Sequence, residues 1–189
     1  MMARGSGAVV AALGTALGAA LFVLANVACS QEAWHTMTGP ERSFSADLPA
    51  APKYTPTQMT TPVGVPYTMH QYQLEQGQTG YVVQYVVYPK DVNVANAQTV
   101  LQASLERTAK GMDGGKWASI AFPRHQGLPA ADAVALRAGS EIRSYSVLKG
   151  RQLFSLVYVG PPGSARSADA ERFVASLKLG PLPGQAPAQ

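Results

Sequence analysis

Tyr81-Val-Val-Gln-Tyr-Val-Val-Tyr88 carries the clearest strand signal in the sequence. Valine and tyrosine favour strands, and they fill every position of this run except Gln84. Because both odd and even positions are apolar, the run predicts a central strand that is covered on both faces. Pro89 ends the predicted strand.

Further strand-forming segments lie on both sides of this run. Residues 54–61 and 65–75 flank Pro62-Val63-Gly64, a pattern that predicts a hairpin. Lys149-Gly150-Arg151 predicts a tight turn with glycine at its centre. The remaining strands are predicted at residues 43–48, 117–122, 132–138, 141–148 and 152–159.

Two helices are predicted, each with a capping residue at its start. Asn96 caps a segment in which buried positions recur at helical spacing, and Gly111 stops that segment. Ser167 caps a closing helix with Asp169 and Glu171 in its first turn, where the helix dipole favours acidic residues. The predicted buried stripes are Val100, Leu101, Leu105, Thr108 and Met112 in the first helix, and Ala170, Phe173, Val174 and Leu177 in the second.

These elements predict a single α+β domain over residues 31–179. Its antiparallel β-sheet has about seven or eight strands and is flanked by two main helices, one on each face. Residues 180–189 are rich in proline, glycine and alanine, so they are predicted to form a disordered tail.

The first thirty residues have the composition of a secretory signal peptide. Residues 1–30 contain no acidic residue and one basic residue, Arg4, which precedes a long uncharged stretch rich in alanine, leucine and valine. Cleavage after Ser30 would leave Gln31 as the mature N-terminus. The chain is therefore predicted to be exported and periplasmic.

Two other fates of this N-terminal segment stay open. Cys29 resembles the lipidated cysteine of a bacterial lipoprotein, although Asn26 occupies the position at which that motif has an aliphatic residue. The apolar stretch is also long enough to serve as an uncleaved membrane anchor. The domain would then be tethered to the membrane by a lipid at Cys29 or by the leader itself.

Composition and charge exclude several classes of protein. With 47% hydrophobic and 14% charged residues, the 189-residue chain is too apolar to be disordered throughout. Its single cysteine cannot form an internal disulfide. The net charge is +4 and the basic residues are scattered, whereas nucleic-acid-binding proteins cluster them on one face. We therefore predict no nucleic-acid partner, and contact with the membrane only through the signal segment or a lipid anchor.

The sequence contains no recognisable catalytic, cofactor-binding or metal-binding motif. His35, His70 and His125 lie far apart and lack the spacings of zinc sites. Gly-x-Ser-x-Gly is absent as well. We predict no catalytic residue, no metal ligand and no cofactor. We expect His70 to be a surface or half-buried strand residue, and His125 to lie exposed in a loop.

Tyrosines crowd two consecutive strands at odd and even positions. This pattern favours cross-strand aromatic packing beneath the helices. The alternative is an exposed patch that binds a protein or a glycan. Tyr67 and Tyr72 are the candidate residues of such an interaction surface, and Trp117 is a further candidate if its side chain is exposed.

Short motifs spread along the chain resemble those of a group of exported bacterial proteins. Phe44-Ser-Ala-Asp-Leu-Pro49 resembles the group's F-S-x-x-L/F-P opening, and Gly127-Leu-Pro-Ala130 matches its G-x-P-A/G step before a strand. Residues 171–179 are similar to its R-F-x-x-S-F-x-L ending, with Leu177 in place of the aromatic residue. By these motifs the chain resembles the PsbP/Mog1-like fold, in its uncharacterised exported bacterial branch.

This resemblance implies an antiparallel sheet between helices and a role in binding or assembly, because characterised relatives dock onto larger protein complexes. It brings no functional residue to this chain, since the matching positions are core and turn residues. We therefore predict an exported, non-catalytic binding or assembly module of the bacterial cell envelope, with an envelope or membrane-associated protein complex as its partner. A periplasmic carrier of a small apolar ligand or lipid, and a hydrolase with a dispersed site, stay open as alternatives.

Overall fold

The computed structural model describes residues 33–112, 116–137 and 139–180, which belong to one compact unit. The strands in these ranges are β1 His35–Thr38, β2 Phe44–Leu48, β3 Lys53–Thr60, β4 Pro66–Gln76, β5 Thr79–Val87, β6 Trp117–Ala121, β7 Arg124–His125, β8 Leu128–Arg137, β9 Ser140–Lys149, β10 Gln152–Gly160 and β11 Lys178–Leu179. The helices are α1 Ala97–Lys110 and α2 Ala168–Ala175, and Pro40–Arg42 forms one turn of 3-10 helix.

The predicted signal peptide, its cleavage site at Ser30 and Gln31, and Cys29 lie outside the described residues. The predicted tail lies outside them from residue 181 onward. Its first residue, Gly180, is held in place, because its N–H donates a 2.8 Å hydrogen bond to the carbonyl oxygen of Ser43. Gly180, predicted as the first residue of the tail, therefore pairs with the chain segment before β2.

The strands form two antiparallel sheets. The large sheet has eight strands, ordered β3-β4-β5-β10-β9-β8-β6, with β7 paired to β8. The small sheet has three strands, ordered β1-β2-β11. The α+β class, the large antiparallel sheet and its two helices are confirmed. The strand predicted at residues 43–48 belongs to the small sheet, where it pairs with β1 and β11. The sequence did not predict this second sheet because β1 and β11 are too short to be recognised.

The two faces of the large sheet carry separate hydrophobic cores. Along β10, Phe154 and Leu156 point to one face, where they pack with α2 and the small sheet. Leu153 points to the other face and packs with α1. We call these the α2 face and the α1 face. Strand alternation in β5 and β9 follows the same division, so one helix lies on each side of the sheet as predicted.

Both predicted helix caps are present. The side chain of Asn96 accepts a hydrogen bond of 3.1 Å from the N–H of Thr99, and Ser167 accepts one of 3.3 Å from the N–H of Ala170. Leu177 lies beyond the end of α2 but is still buried in the core, at 1% exposure. The caps satisfy N–H groups that would otherwise lack partners and so set where each helix begins.

A buried ion pair attaches α2 to β8 and β9. The guanidinium of Arg143 on β9 donates two hydrogen bonds of 2.9 Å to the carboxylate of Asp132 on β8. Glu171 from the first turn of α2 lies 3.0 Å from Arg143, and Arg166 lies 2.9 Å from Asp132. Glu171 therefore pairs with a buried cation in addition to complementing the helix dipole, the role that its sequence position predicts.

We predict that Asp132→Asn lowers the free energy of unfolding by about 3 kcal/mol, because it leaves the buried Arg143 without its bidentate partner. Asp169→Asn is the matched control: this acidic residue is exposed in the first turn of α2, so its loss should cost less than about 1 kcal/mol. Chemical denaturation measures both. Equal losses in the two variants would contradict the structural role of the pair.

Candidate binding groove

Helix α1 covers only part of the α1 face. It lies over β8 and β9, and Leu101 and Leu105 are buried there. The strands β4 and β5 lie farther from α1 and are less well covered. On the α1 face of β5, Val82 and Gln84 are half-buried. Their neighbours Tyr81 and Val83, which point to the α2 face, are buried. The prediction that residues 81–88 are covered on both faces therefore holds only in part. On the α2 face the run is buried from Tyr81 to Tyr85, whereas Val87 at the end of β5 is 42% exposed. On the α1 face the cover is incomplete at Val82 and Gln84.

A groove of about 340 Å³ lies between α1 and this less covered part of the sheet. Ser104, Arg107, Thr108 and Gly111 form its helix side and share one stripe of α1, since residues three and four apart are neighbours on a helix surface. The sheet side is lined by Met59, Tyr67, Met69, Gln71, Gln73, Val82, Gln84, Val86, Leu153, Ser155 and Val157. The groove thus runs along a helix on one side and across four neighbouring strands, β3, β4, β5 and β10, on the other.

A chain of glutamine amides crosses the floor of the groove. Gln84 and Gln71 are cross-strand partners, and the amide nitrogen of Gln84 donates to the oxygen of Gln71 at 3.0 Å. Gln71 donates to Gln73 at 3.3 Å, and Gln73 donates to the carboxylate of Glu75 at 3.0 Å. We call this series of hydrogen bonds the glutamine ladder. Each amide nitrogen donates to the next residue in the series, which ends at the carboxylate of Glu75. The side-chain oxygen of Gln84 is therefore the free acceptor of the ladder among the described residues.

The outer wall of the groove belongs to the hairpin of β3 and β4, which we call the β3–β4 arm. β5 pairs with β4 only from Met69 onward, so the first residues of β4 extend beyond it. Tyr67 lies in this extension, and its ring centroid is 6.1 Å from that of Tyr88. Met59 and Met69 complete the wall with flexible, polarisable side chains that adapt to different contacts.

Arg107 is the only charged residue among the described lining residues. It lies in the last turn of α1, where a cation is favourable to the helix dipole. Its guanidinium has no ion-pair or hydrogen-bond partner among the described residues. Among its described lining residues, the groove therefore combines apolar walls, a floor of amides and one positive charge.

The three residues predicted as a candidate interaction surface lie in different places. Tyr67 lines the groove on the α1 face. Tyr72 points to the opposite face, where its ring packs 5.0 Å from Tyr54 and 6.2 Å from Phe44. Trp117 is half-buried, and its indole N–H donates a 3.1 Å hydrogen bond to the carbonyl oxygen of Leu105. Trp117 therefore does not meet the condition of exposure that its candidacy required, because it packs under α1.

Aromatic packing accounts for the most buried tyrosines. Tyr81 and Tyr158 are cross-strand partners with ring centroids 5.5 Å apart, and Tyr85 stacks on Phe154 at 5.2 Å. These contacts lie within the core on the α2 face, as the favoured interpretation of the tyrosine pattern predicts. Of the predicted surface residues, only Tyr67 therefore belongs to the groove.

The fold is similar to the solution structure of cyanobacterial PsbP (CyanoP) from Synechocystis sp. PCC 6803, with a TM-score of 0.54 and 8% sequence identity over 80% of this chain and 95% of that chain. The chain has a PsbP-like fold. A second similar structure is PA94 from Pseudomonas aeruginosa, a protein of unknown function and putative regulator, with a TM-score of 0.43 and 13% identity over 79% of this chain and 99% of that chain. No protein-family model and no curated protein matches the chain in sequence.

The histidines of this PsbP-like domain lie apart from one another and from the groove. His35 is exposed on β1, and His70 on β4 bonds the hydroxyl of Tyr54 at 2.9 Å. Within residues 33–112, 116–137 and 139–180, no three histidine, cysteine or acidic side chains come together as metal ligands. In the same ranges, no helix is long and apolar enough to span a membrane.

The expectation that His125 is exposed in a loop is wrong. The residue lies on β7 and is half-buried, because the β7–β8 hairpin folds against the end of α2. Its ring nitrogens Nδ1 and Nε2 lie 3.1 Å from the Tyr145 hydroxyl and from the Leu177 carbonyl oxygen. A carbonyl oxygen only accepts, so Nε2 carries the hydrogen and, in the neutral ring, Nδ1 accepts from Tyr145.

The groove residues Gln71, Gln73, Gln84 and Arg107 were not predicted as functional from the sequence. One signal could have drawn attention to them: between Tyr54 and Tyr88, Glu75 is the only charged residue. Charged residues are depleted at the centres of protein interfaces, and aromatic residues and methionine are enriched there. This segment supplies the arm and the outer half of the groove floor.

Burial lowers the pKa of His125 below its ordinary value of 6.5, and the hydrogen bond to Leu177 opposes this effect. The unfolded chain therefore binds this proton at higher pH than the folded protein does. We predict that the His125 contribution to stability is complete above pH 6.5 and is lost as the pH falls toward the lowered folded pKa.

Denaturation curves at pH 7.5 and pH 5 test this prediction. His125→Gln should show a smaller loss of stability between the two pH values than the wild type does. His35→Gln, which alters an exposed histidine, is the control and should keep the wild-type loss. An unchanged pH dependence in His125→Gln would contradict the prediction.

Proposed function

We propose that the chain is an exported, non-catalytic binding or assembly module of the bacterial cell envelope, and that it binds its partner in the groove beside α1. The single observation that carries this proposal is the groove itself, where a wide sheet extends beyond its covering helix. Its methionines, its tyrosine and its arginine are of the residue types that are enriched at protein interfaces.

The N-terminal segment supports the cellular location. Residues 1–30 have the charge and apolar patterning of a secretory signal, so we place the domain in the periplasm, with Cys29 as the alternative site of a lipid anchor. The similarity of the fold to cyanobacterial PsbP (CyanoP) is compatible with an accessory or assembly role. The partner would then be an envelope or membrane-associated protein.

A carrier of a small apolar ligand is the second candidate. The volume of the groove falls within the range of small-molecule sites, and its valines and methionines would contact an apolar ligand. A hydrolase gains no comparable support. The described lining contains no histidine or carboxylate, and neither His70 nor His125 bonds a serine hydroxyl among the described residues.

Site-specific photo-cross-linking in the native envelope tests the proposed function. We predict that p-benzoyl-phenylalanine in place of Tyr67, on the groove wall, yields a discrete protein adduct after irradiation. The same probe in place of Gln102, exposed on the outer side of α1, is the matched control and should yield none. An adduct that adds only the mass of a lipid or small molecule would favour the carrier. Equal labelling at both positions, or no adduct from abundant folded protein, would refute binding in the groove.

A further inference from the structure

We infer that the groove beside α1 takes an extended polypeptide segment with an uncharged body and one carboxylate that pairs with Arg107. This inference rests on the proposed function and specifies its partner by chemistry. It follows from three features of the groove: unfilled hydrogen-bonding capacity on the floor, adaptable uncharged walls, and a single available cation.

The floor of the groove favours a polypeptide over an acyl chain. Gln84 and Gln71 each use one amide N–H in the glutamine ladder, which leaves further donors and the oxygen of Gln84 without partners among the described residues. An acyl chain would cover these polar groups without bonding them, at a cost of about 1–3 kcal/mol for each group left unpaired. A polypeptide backbone carries both donors and acceptors and would satisfy them.

The walls favour a segment without many charges. From Tyr54 to Tyr88, Glu75 is the only charged residue, and its carboxylate already accepts a hydrogen bond from Gln73. The residues of the β3–β4 arm that line the groove are all uncharged, so charged side chains of a partner would be desolvated against them without compensation. Met59 and Met69 can repack around apolar or small polar side chains, which suits a segment of mixed uncharged residues.

Arg107 supplies the one charge-complementary contact. Its guanidinium lines the groove, has no side-chain partner among the described residues, and offers a planar fork that matches a carboxylate. Lys110, three residues along α1, lies in the same last turn but does not line the groove. Both basic residues lie in the last turn of α1 and interact with the helix dipole in the same way, but only Arg107 lines the groove. Lys110 therefore serves as the matched control.

The test uses the exported protein and pools of acetylated, amidated hexapeptides as probes. Five positions vary among Val, Leu, Gln, Ser, Thr and Tyr, and one internal position is fixed as Glu, Gln or Lys. We expect the Glu pool to bind the wild type about tenfold more tightly than the Gln pool, and the Lys pool to bind most weakly. This preference should shrink as the salt concentration rises.

Two variants and their control assign the effect to the groove. Arg107→Gln should remove the preference for the Glu pool over the Gln pool, whereas Lys110→Gln should keep the wild-type preference. Gln84→Leu should weaken all three pools, because it removes the free acceptor and interrupts the ladder. Thermal denaturation of each variant shows that the fold is intact.

Several results would overturn the inference. One is that no pool binds, and another is that the Glu and Lys pools bind equally well. A third is that a fluorescent palmitate analogue binds the wild type and binds the Gln84→Leu variant more tightly. If the pools fail while the probe at Tyr67 captures a protein, the proposed function stands and only this inference falls. If neither experiment detects binding, both fall.

Discussion

One helix is too narrow to cover the sheet on which it lies, and this difference in width shapes the α1 face. Strands lie about 4.8 Å apart, so the seven neighbours from β3 to β6 span roughly 29 Å. A helix with its side chains is only about 10–12 Å across. Because α1 lies over β8 and β9, the strands toward the β3–β4 arm remain less covered. The groove is the direct consequence of this difference.

On the α2 face, more secondary structure covers the large sheet. There the small sheet and α2 together cover the central strands, and Phe44, Leu48 and Phe173 are buried among them. The ion pair of Asp132 and Arg143 then ties α2 to β8 and β9. One face of the sheet is thus closed by packing and by charge, whereas the other keeps an open side. The asymmetry gives the domain one accessible face on a rigid support.

Local signals were enough to predict the class of fold. The run of residues 81–88, the caps at Asn96 and Ser167, and the turn around Gly150 each act over a few neighbouring residues, and the structure contains all of them. Features that depend on distant pairing could not be derived this way. The small sheet joins strands from both ends of the chain, and β11 contributes only two residues to it.

A single residue in the sequence weakly indicated the groove. Gln84 is the only polar position in the run 82–87, which is otherwise apolar apart from Tyr85. It lies at the part of the α1 face that helix α1 does not cover. Its partners Gln71 and Gln73 and the cation Arg107 come from a neighbouring strand and a helix, so only the folded chain shows that they share a groove. The burial of His125 likewise depends on contact with Leu177, far along the chain.

The α1 face is covered over β8 and β9 and accessible toward the β3–β4 arm. Methyl NMR of methionine in the presence of a soluble paramagnetic agent tests it most directly, with signals assigned through single Met→Leu variants. Met59 and Met69 line the groove, whereas Met112 is buried at the end of α1, at 4% exposure. We expect strong broadening of the Met59 and Met69 methyl signals and little broadening of the Met112 signal. Equal protection of all three would contradict it, because the face toward the arm would then be covered.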